Sequence, residues 1–562
     1  MIILRLIFIK LIKLMKSISK LILIFFVLSF FILRSKVDFP VTLSEAKESY
    51  TAYSIIKTGR DTNGDIPGLL FRSDNNYLSS LGVYLRIPSI YLFGLSGLGV
   101  RLPSIVFSLI TVYVFYLVSR QFLRNNNKAL LATFLFAISP FFVQLNIFDL
   151  GMTLGLLFIL VSTYFLIQDN RKFFLIASIL AILSSFSTLP FVLVSLVFYF
   201  YRKRKTKPFL TVVLAIFLSI VIFLKLNQEL SNFLVRETVI KDILPSSYTY
   251  LIDKKLSFGQ VFPSPLITEK FNFNRIAHNK LYYGTGELFK SVIRPFNFEL
   301  LTSSFQSQTI LAKERIDSIA LPKFFFWEIP IIFIGLTLLL KKKDPVLSAF
   351  ALGLSLSALI FKEKALGLVL PMIAFSETVF VFHLKKILKP SYFKTVALLI
   401  GVLLVFSYAS FLDLLWFHEL SWLKEQDLRQ YQIWETLTTR NLEENTVIVT
   451  DRLGEPVNHF LYYEKIDPSF YQEQKKLGVL TSAGIWRVEK VGNVEFKSFK
   501  YFESPRGPNE LWVGMAGEFV GRNRDFEKIT NVFDGEIFKR IKEVKQEDRF
   551  VGNELWFVKT RF

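Results

Sequence analysis

The segment that decides the fold covers residues 38–120 and reads DFPVTLSEAKESYTAYSIIKTGRDTNGDIPGLLFRSDNNYLSSLGVYLRIPSIYLFGLSGLGVRLPSIVFSLITVYVFYLVSR. It begins as a polar stretch with three acidic residues and ends in an apolar run, 103–119, which closes at Arg120. An apolar run of this length predicts a transmembrane helix. The segment therefore predicts a polar loop at a membrane surface that leads directly into a span.

The rest of the chain repeats this alternation of apolar runs and short charged loops. Of its 562 residues, 52% are hydrophobic and only 20% are charged, and its mean hydropathy is +0.42. This composition excludes a disordered chain, a collagen and an ordinary soluble enzyme. It predicts a polytopic α-helical membrane protein with about 11 spans. The further runs lie near 21–33, 129–147, 150–168, 173–187, 189–201, 208–225, 324–340, 345–361, 365–384 and 395–413.

The net charge of +21 first suggests either nucleic acid or an acidic membrane surface as a partner. Its distribution along the chain decides between them. With the N-terminus inside, the alternate loops hold 22 Lys and Arg residues against only Asp169 and Asp344. This asymmetry follows the positive-inside rule. We therefore expect a multi-pass protein of the cytoplasmic (inner) membrane, in contact with membrane lipid and with no nucleic-acid partner.

Two domains are predicted. Residues 1–413 form the transmembrane domain, with large outer loops at 34–102 and 226–323, and residues 414–562 form an extracytoplasmic soluble α/β domain. In that tail, a helical stretch precedes several strand candidates, which are NTVIVTD, HFLYYEKI (459–466), GIWRVEKV, VEFKSFKYF, ELWVGMAG and NELWFVKTR. The polar material for chemistry is concentrated in these outer pieces.

The chain contains no cysteine and four scattered histidines. Disulfides, thiolate zinc sites, iron–sulfur clusters and a cysteine nucleophile are therefore excluded, and a histidine metal site is not expected. We predict no cofactor, although a divalent metal ion remains open.

Carboxylates in the outer loops are the first candidate catalytic groups. Glu45 and Glu48 are three residues apart and share one face of a predicted helix. A carboxylate at the membrane surface can act as a general base, or it can simply solvate a helix face. Asp149 precedes an apolar run, where it can belong to the site or cap the following helix.

Cationic residues on the outer side are candidates for binding a phosphate or an acceptor. Arg101 can contact a phosphate or anchor a span end at the lipid headgroups. Lys364 lies on the outer side against the general charge trend, which favours phosphate binding. Arg275, His278 and Lys280 in the second outer loop are further candidates.

The ordered motifs of the first loop resemble a known family. After the acidic pair come A-x-x-x-Y-x-A-Y-S-I-x-K-T-G-x-D-x-x-G (46–64), F-R-S (71–73), F-G-L (93–95) and V-R-L-P-S (100–104). Later pieces are I-S-P (138–140), FNRIAHNKLYY (273–283), FNFELL (296–301) and KALGLVLP (364–371). Together they resemble bacterial membrane glycosyltransferases of the C-type fold, in the branch akin to protein O-mannosyltransferases and the lipid A aminoarabinose transferase.

The resemblance implies transfer of a sugar from a polyprenyl-phosphate donor to an extracytoplasmic acceptor, which is a protein, a lipid or a cell-envelope glycan. It implies inversion at the anomeric carbon, with a first-loop carboxylate as the general base and a second acidic residue, here Asp149, outside the third span. Cations would neutralise the phosphate that leaves. The partners expected are therefore a polyprenyl-phosphate-linked sugar and an extracytoplasmic acceptor.

The chain departs from the family pattern at the acidic motif itself. Relatives usually show Asp-Glu-Ala, whereas this chain has Ser44-Glu45-Ala46. Glu45 or Glu48 would have to replace the missing Asp. The departure leaves open a catalytically degenerate relative that acts as a binding or scaffold protein. A transporter is disfavoured because the spans hold almost no charge and no inverted repeat is visible.

Overall fold

The computed structural model describes most of the first outer loop, most of the helical region and parts of the tail. The described residues are 40–73, 76–202, 325, 327–341, 344–417, 430–431, 433–434, 437, 446–450, 456–476, 479–480, 486–497, 510–515, 526–528 and 555–559. The predicted runs 21–33 and 208–225 lie outside this part of the chain, as does the second outer loop.

The first outer loop begins with helix α1 (Leu43–Thr58), whose ends are fixed by local sequence. Thr42 and Glu45 form a reciprocal capping box at its start, and Gly59 ends it in the left-handed conformation, with φ of 68°. A short hairpin of β1 (Phe71–Ser73) and β2 (Asn76–Leu78) follows. Helix α2 (Ser80–Phe93) then occupies most of the segment 80–98.

Ten further helices follow within the described residues. They are α3 (Gly97–Leu123), α4 (Asn126–Ile138), α5 (Pro140–Phe148), α6 (Leu150–Ile167), α7 (Arg171–Ser184), α8 (Leu189–Arg202), α9 (Glu328–Leu340), α10 (Pro345–Phe361), α11 (Leu370–Ile387) and α12 (Pro390–Phe417). Short 3₁₀ helices, Phe186–Thr188 and Lys362–Val369, precede α8 and α11.

Several of these helices are long and apolar enough to cross a bilayer. Within the described residues they are Gly97–Leu123, Leu150–Ile167, Gly367–Ile387 and Pro390–Leu412, and the bent pair α4–α5 can form a fifth span. Phe186–Arg202, Glu328–Leu340 and Pro345–Phe361 are apolar but shorter. The chain is a polytopic α-helical membrane protein, as predicted.

The I-S-P motif (138–140) divides the single predicted run 129–147 into two helices, α4 and α5. The two helices are bent by 55°, and Ser139 between them has an extended ψ of 127°. Proline disfavours a helical conformation in the residue before it, which explains why the helix ends there. Pro140 then begins α5 at a position where no main-chain donor is needed.

Phenylalanine packs the interior of the bundle. Phe115 stacks on Phe136 and on Phe375, with ring centroids 4.3 and 5.1 Å apart. All three rings are at most 1% exposed. Because aromatic rings bury large areas and pack in offset or edge arrangements, these contacts join α3, α4 and α11 into one core.

The described residues of the tail form a six-stranded mixed sheet. Its strands are β3 (Thr446–Thr450), β6 (Lys490–Val491), β7 (Val494–Lys497), β8 (Glu510–Met515), β9 (Phe526–Lys528) and β10 (Leu555–Lys559). Their order in the sheet is β6-β7-β3-β8-β10-β9. β3 lies parallel to β7 and β8, while the other pairings are antiparallel. A separate small hairpin joins β4 (Val479–Leu480) and β5 (Trp486–Arg487).

One predicted strand is wrong. HFLYYEKI contributes to helix α13 (Pro456–Tyr463), which is followed by α14 (Pro468–Lys476). A short run of apolar and aromatic residues does not distinguish a buried strand from a buried helix. Pro456, at the first helical position, and the burial of Phe460 and Leu461 on one element favour the helix.

The first outer loop and the tail share one hydrophobic core. Tyr50 of α1 and Trp434 of the tail belong to the same buried cluster. The Tyr50 hydroxyl donates to the main-chain oxygen of Ile466 at 2.9 Å, and the Val41 N–H donates to the Tyr463 hydroxyl at 3.3 Å. The tail is therefore packed directly on the helix that holds the acidic residues.

Candidate functional site

Glu45 and Arg101 form a buried ion pair between the start of α1 and the start of α3. Arg101 Nε and Nη2 each lie 3.1 Å from one carboxylate oxygen of Glu45, and Nη2 also donates to the Pro40 main-chain oxygen at 3.0 Å. Glu45 is 1% exposed and Arg101 is 2% exposed. A two-pronged contact of this kind fixes the orientation of both groups.

The second oxygen of Glu45 has further bonds. Oε2 accepts from the Thr42 main-chain N–H at 3.0 Å and is 3.2 Å from the Thr42 hydroxyl. Glu45 thus caps its own helix and neutralises Arg101 at the same time. Both oxygens of this carboxylate are occupied by donors in this structure.

Glu48 forms a second buried ion pair, with Arg86 of α2. Arg86 is 1% exposed and also donates from Nε to the Val100 main-chain oxygen at 3.3 Å. Burial lowers the pKa of the Arg86 guanidinium to about 10, which leaves it protonated at neutral pH. The two carboxylates of α1 are therefore matched by two arginines from the next two helices. We call Glu45, Glu48, Arg86 and Arg101 the ion-pair cluster.

Asp149 lies beside the ion-pair cluster at the start of α6. Its charge acts on the Arg86 guanidinium, and its Oδ1 accepts from the Met152 main-chain N–H at 2.8 Å. The helix-capping function considered for Asp149 is confirmed. Unlike Glu45 and Glu48, however, Asp149 is an exposed residue.

Glycines allow these helix ends to converge. A Cβ on Gly82 would lie 3.0 Å from the Glu48 Oε2 atom, and one on Gly151 would lie 2.8 Å from the Ser79 Cβ. Ser79 caps α2 by accepting from the Gly82 N–H at 3.0 Å. A side chain at Gly82 would displace the Glu48 carboxylate, and one at Gly151 would crowd Ser79 and the main-chain oxygen of Ser184.

The tail also contributes to this region. Burial, with a further effect of the Glu45 charge, raises the pKa of the Tyr462 phenol, so that Tyr462 stays protonated. The charges of Arg86 and Arg101 act on the same phenol. Helix α13 therefore places a neutral hydrogen-bonding group near three buried charges, those of Glu45, Arg86 and Arg101.

Ser44 occupies the position at which the resembled family has its catalytic Asp, and it is exposed. Its neighbour Glu45 is buried and faces Arg101. Adjacent helical residues point about 100° apart, which explains the difference. Among the three predicted catalytic carboxylates, Asp149 is the exposed one.

The structure describes the positions of two of the five predicted phosphate or acceptor ligands, Arg101 and Lys364. Arg101 is brought to Glu45 and faces neither headgroups nor solvent. Lys364 lies in the 3₁₀ helix Lys362–Val369, which packs against α5 and α6, so that a Cβ on Gly367 would lie 3.0 Å from Leu145 Cδ1. That contact is four residues before Asp149. Arg275, His278 and Lys280 lie outside the described residues.

Two further carboxylates line a small cavity within the bundle, beside the Ser139–Pro140 break. They are Glu377 of α11 and Glu328, which accepts from the Phe325 main-chain N–H at 2.9 Å. The cavity of about 20 Å³ has room for about one water molecule. It is too small for a sugar or for a transported solute of that size.

Two features of the ion-pair cluster were not predicted from the sequence. The T-L-S-E stretch (42–45) is a capping-box signature, which would have indicated a structural function for Glu45. Arg86 is a lone cation in the apolar segment 80–98, and a charge in such a segment usually has a partner.

Within the described residues, no group of three His, Asp or Glu side chains is placed to bind a metal ion.

Comparison with known proteins confirms the predicted resemblance over part of the chain. Residues 81–225 match the family described as dolichyl-phosphate-mannose-protein mannosyltransferase. This range contains Arg86, Arg101 and Asp149, the I-S-P motif, helices α3 to α8 and all of α2 except its first residue. No curated protein matches the chain.

Two solved structures show distant similarity to the chain. The oligosaccharyltransferase of Archaeoglobus fulgidus, solved with Zn and sulfate, is 11% identical with a TM-score of 0.40, over 78% of this chain and 61% of that one. The chain thus spans less than two thirds of that relative. ArnT from Cupriavidus metallidurans, solved with undecaprenyl phosphate, is 12% identical with a TM-score of 0.38, over 95% of this chain and 97% of that one.

Proposed function

We propose that the chain transfers a sugar from a polyprenyl-phosphate donor to an acceptor on the outer side of the cytoplasmic membrane. The observation that supports this proposal is the convergence of Asp149 and the ion-pair cluster where α1, α2, α3 and α6 meet. The family match over 81–225 covers three of these four helix ends.

The reaction needs a base for the acceptor hydroxyl and charge compensation for the leaving phosphate. A general base must reach the acceptor proton within hydrogen-bonding distance. Because Asp149 is exposed while Glu45 and Glu48 are bonded to arginines, Asp149 is the base that the geometry favours. The bond from the anomeric carbon to the phosphate oxygen breaks as the acceptor oxygen attacks from the opposite face, with inversion.

The other predicted site residues would position the reactants. Glu45 and Glu48 orient Arg101 and Arg86, and thereby the helix ends. Lys364, on the segment packed next to α5, is proposed as a ligand of the donor phosphate, together with Arg275, His278 and Lys280 of the second outer loop. The assignment of the base to Glu45, which the family resemblance favours, remains the competing prediction within this proposal.

The test is a comparison of Asp149→Asn with Glu45→Gln in a deletion strain of the native host, with surface glycans profiled by mass spectrometry. Asn also caps helices well, so Asp149→Asn removes the charge but keeps the bond to Met152. We expect transfer to fall at least about a hundredfold. Asp344→Asn is the matched control, because Asp344 also caps a helix, through Val346 and Leu347, in a predicted cytoplasmic loop.

The outcomes separate the alternatives clearly. Wild-type glycans in the Asp149→Asn strain, with loss of transfer in a well-folded Glu45→Gln protein, would move the base to Glu45. A deletion strain whose glycans match those of the parent would contradict sugar transfer itself.

A second function is favoured by one observation, the exposed Ser44 at the family's Asp position. A serine hydroxyl is not basic enough to replace a carboxylate at neutral pH. A relative of this kind would bind the polyprenyl-phosphate sugar without transferring it. Donor binding by the purified wild-type protein, with no release of polyprenyl phosphate when acceptors are added, would support this function.

A further inference from the structure

The two ends of α3 lie on opposite faces of the bilayer. Arg101 belongs to the ion-pair cluster, and Arg120 lies 19 residues further along the same helix. At 1.5 Å per residue this separation is about 29 Å, close to the thickness of the hydrocarbon core. The surroundings of Arg120 are therefore remote from the proposed reaction site, and a ligand bound there would be independent of the proposed function.

An open cavity of about 600 Å³ surrounds this far end. It is formed where α3 ends, the chain turns and α4 begins, with Tyr164 near the end of α6 on its wall. Its polar lining consists of Arg120, Gln121, Arg124, Asn125, Asn126 and Tyr164. Among the described residues, no carboxylate lines it.

The turn holds the two arginines on one cavity. Arg124 has φ of 50°, a conformation that is unfavourable for a residue with a side chain, and its main-chain N–H bonds to the Arg120 oxygen at 3.1 Å. Asn125, the next residue, caps α4 by accepting from the Lys128 N–H at 3.1 Å. The backbone is thus fixed on both sides of Arg124, so the backbone that carries the two arginines is preorganised.

This combination has a specific chemical preference. Guanidinium groups bind phosphate oxygens through paired hydrogen bonds, while amide and phenol groups bind the ester and hydroxyl oxygens of a headgroup. A cavity between the ends of membrane-spanning helices lies at the depth of lipid headgroups, and basic pockets at this depth suit anionic lipids. We propose that the cavity binds the phosphate headgroup of an anionic phospholipid, on the side of the membrane opposite the ion-pair cluster.

The experiment measures lipid binding to the purified full-length protein by native mass spectrometry. Dioleoyl phosphatidylglycerol is titrated against dioleoyl phosphatidylcholine. The test variant is Arg120→Gln/Arg124→Gln, and the matched control is Lys385→Gln/Lys386→Gln. Those lysines are exposed in the last turn of α11, near Phe382, whose ring contacts Lys128 at the start of α4. The control therefore removes the same charge from the same side of the bundle.

We expect the wild-type protein to prefer phosphatidylglycerol. The arginine variant should bind it about thirtyfold more weakly, and the lysine control should stay within about threefold of wild type. Arg120→Lys/Arg124→Lys keeps the charge and loses the paired geometry, so it should fall between the two. This variant also serves if the double glutamine protein folds poorly.

Three results would overturn the inference. The first is equal binding of the two lipids by wild type, and the second is an equal loss in the arginine and lysine variants. The third is complete displacement of phosphatidylglycerol by millimolar inorganic phosphate or sn-glycerol 3-phosphate, which would assign the cavity to a soluble phosphate compound.

Discussion

Arg101 holds the carboxylate of Glu45 through both oxygens, although 56 positions separate the two residues in the sequence. The contact joins the first turn of a loop helix to the first turn of a membrane span. Since Glu45 also caps its own helix, one carboxylate stabilises the start of α1 and its attachment to α3.

Removing the charge of Glu45 should therefore destabilise the protein. Glu45→Gln leaves the buried Arg101 without its counter-charge, and we expect the free energy of unfolding to fall by about 3 kcal/mol. Thermal unfolding in detergent measures the effect. The control is Lys490→Gln, which breaks the exposed Lys490–Glu495 pair, with side chains 54% and 32% exposed, and should cost less than about 0.5 kcal/mol.

Restoring the acidic residue of the resembled family should increase the proposed sugar transfer. Ser44→Asp places a carboxylate at an exposed position in the first turn of α1, where the helix dipole also stabilises a negative charge. We expect the initial rate of sugar transfer to rise at least about tenfold. Ser44→Asn matches the size of the new side chain without its charge, and it should leave the rate unchanged. Equal rates for both variants would show that position 44 is remote from the reacting atoms.

Gly335 should be intolerant of a side chain. A Cβ there would overlap the main-chain oxygen of Ser376, because α9 and α11 pack backbone to backbone at this point. Small residues permit such approaches in membranes. We expect Gly335→Ala to cost about 2 kcal/mol of stability, as overpacking typically does.

Gly401→Ala is the control for that change. Gly401 lies in the interior of α12 with no atom within 4 Å of an added Cβ. Alanine favours the helix by about 1 kcal/mol there. A similar loss of detergent stability in both variants would contradict the close packing of α9 on α11.

His459 should make the packing of the tail on α1 sensitive to acid. Burial lowers the pKa of His459 in α13 to about 4, from an ordinary value near 6.5. The unfolded chain therefore takes up the proton first as the pH falls, and stability that is complete above pH 6.5 is lost progressively down to pH 4. The largest loss attributable to this group is about 3 kcal/mol.

The measurement is the melting temperature of the full-length protein as a function of pH. His459→Phe should flatten the decline between pH 6.5 and 4, since the titrating group is gone. His383→Phe, at a partly exposed position in α11, should leave the decline as it is in wild type. A steep decline retained in the His459 variant would assign the acid sensitivity to other groups.

The sequence by itself determined the membrane class, the positions of most described helices and the family resemblance. Those properties depend on local signals, which are the length and spacing of apolar runs and the order of short motifs. Helix capping, one of the two functions left open for Asp149, also depends on a local signal, because its main-chain partner is three residues away.

Only the tertiary structure decided what each charge does. The partners of Glu45 and Glu48 lie 56 and 38 residues away, on helices whose relative rotation is set by packing against α1, the tail and the glycines between them. The first five residues of HFLYYEKI (459–463) are helical for a related reason, because their burial against α1 outweighs the strand-like composition of the run. Local sequence specifies an element and its ends, whereas the choice between a solvated, paired or exposed carboxylate depends on which distant side chains the fold brings to it.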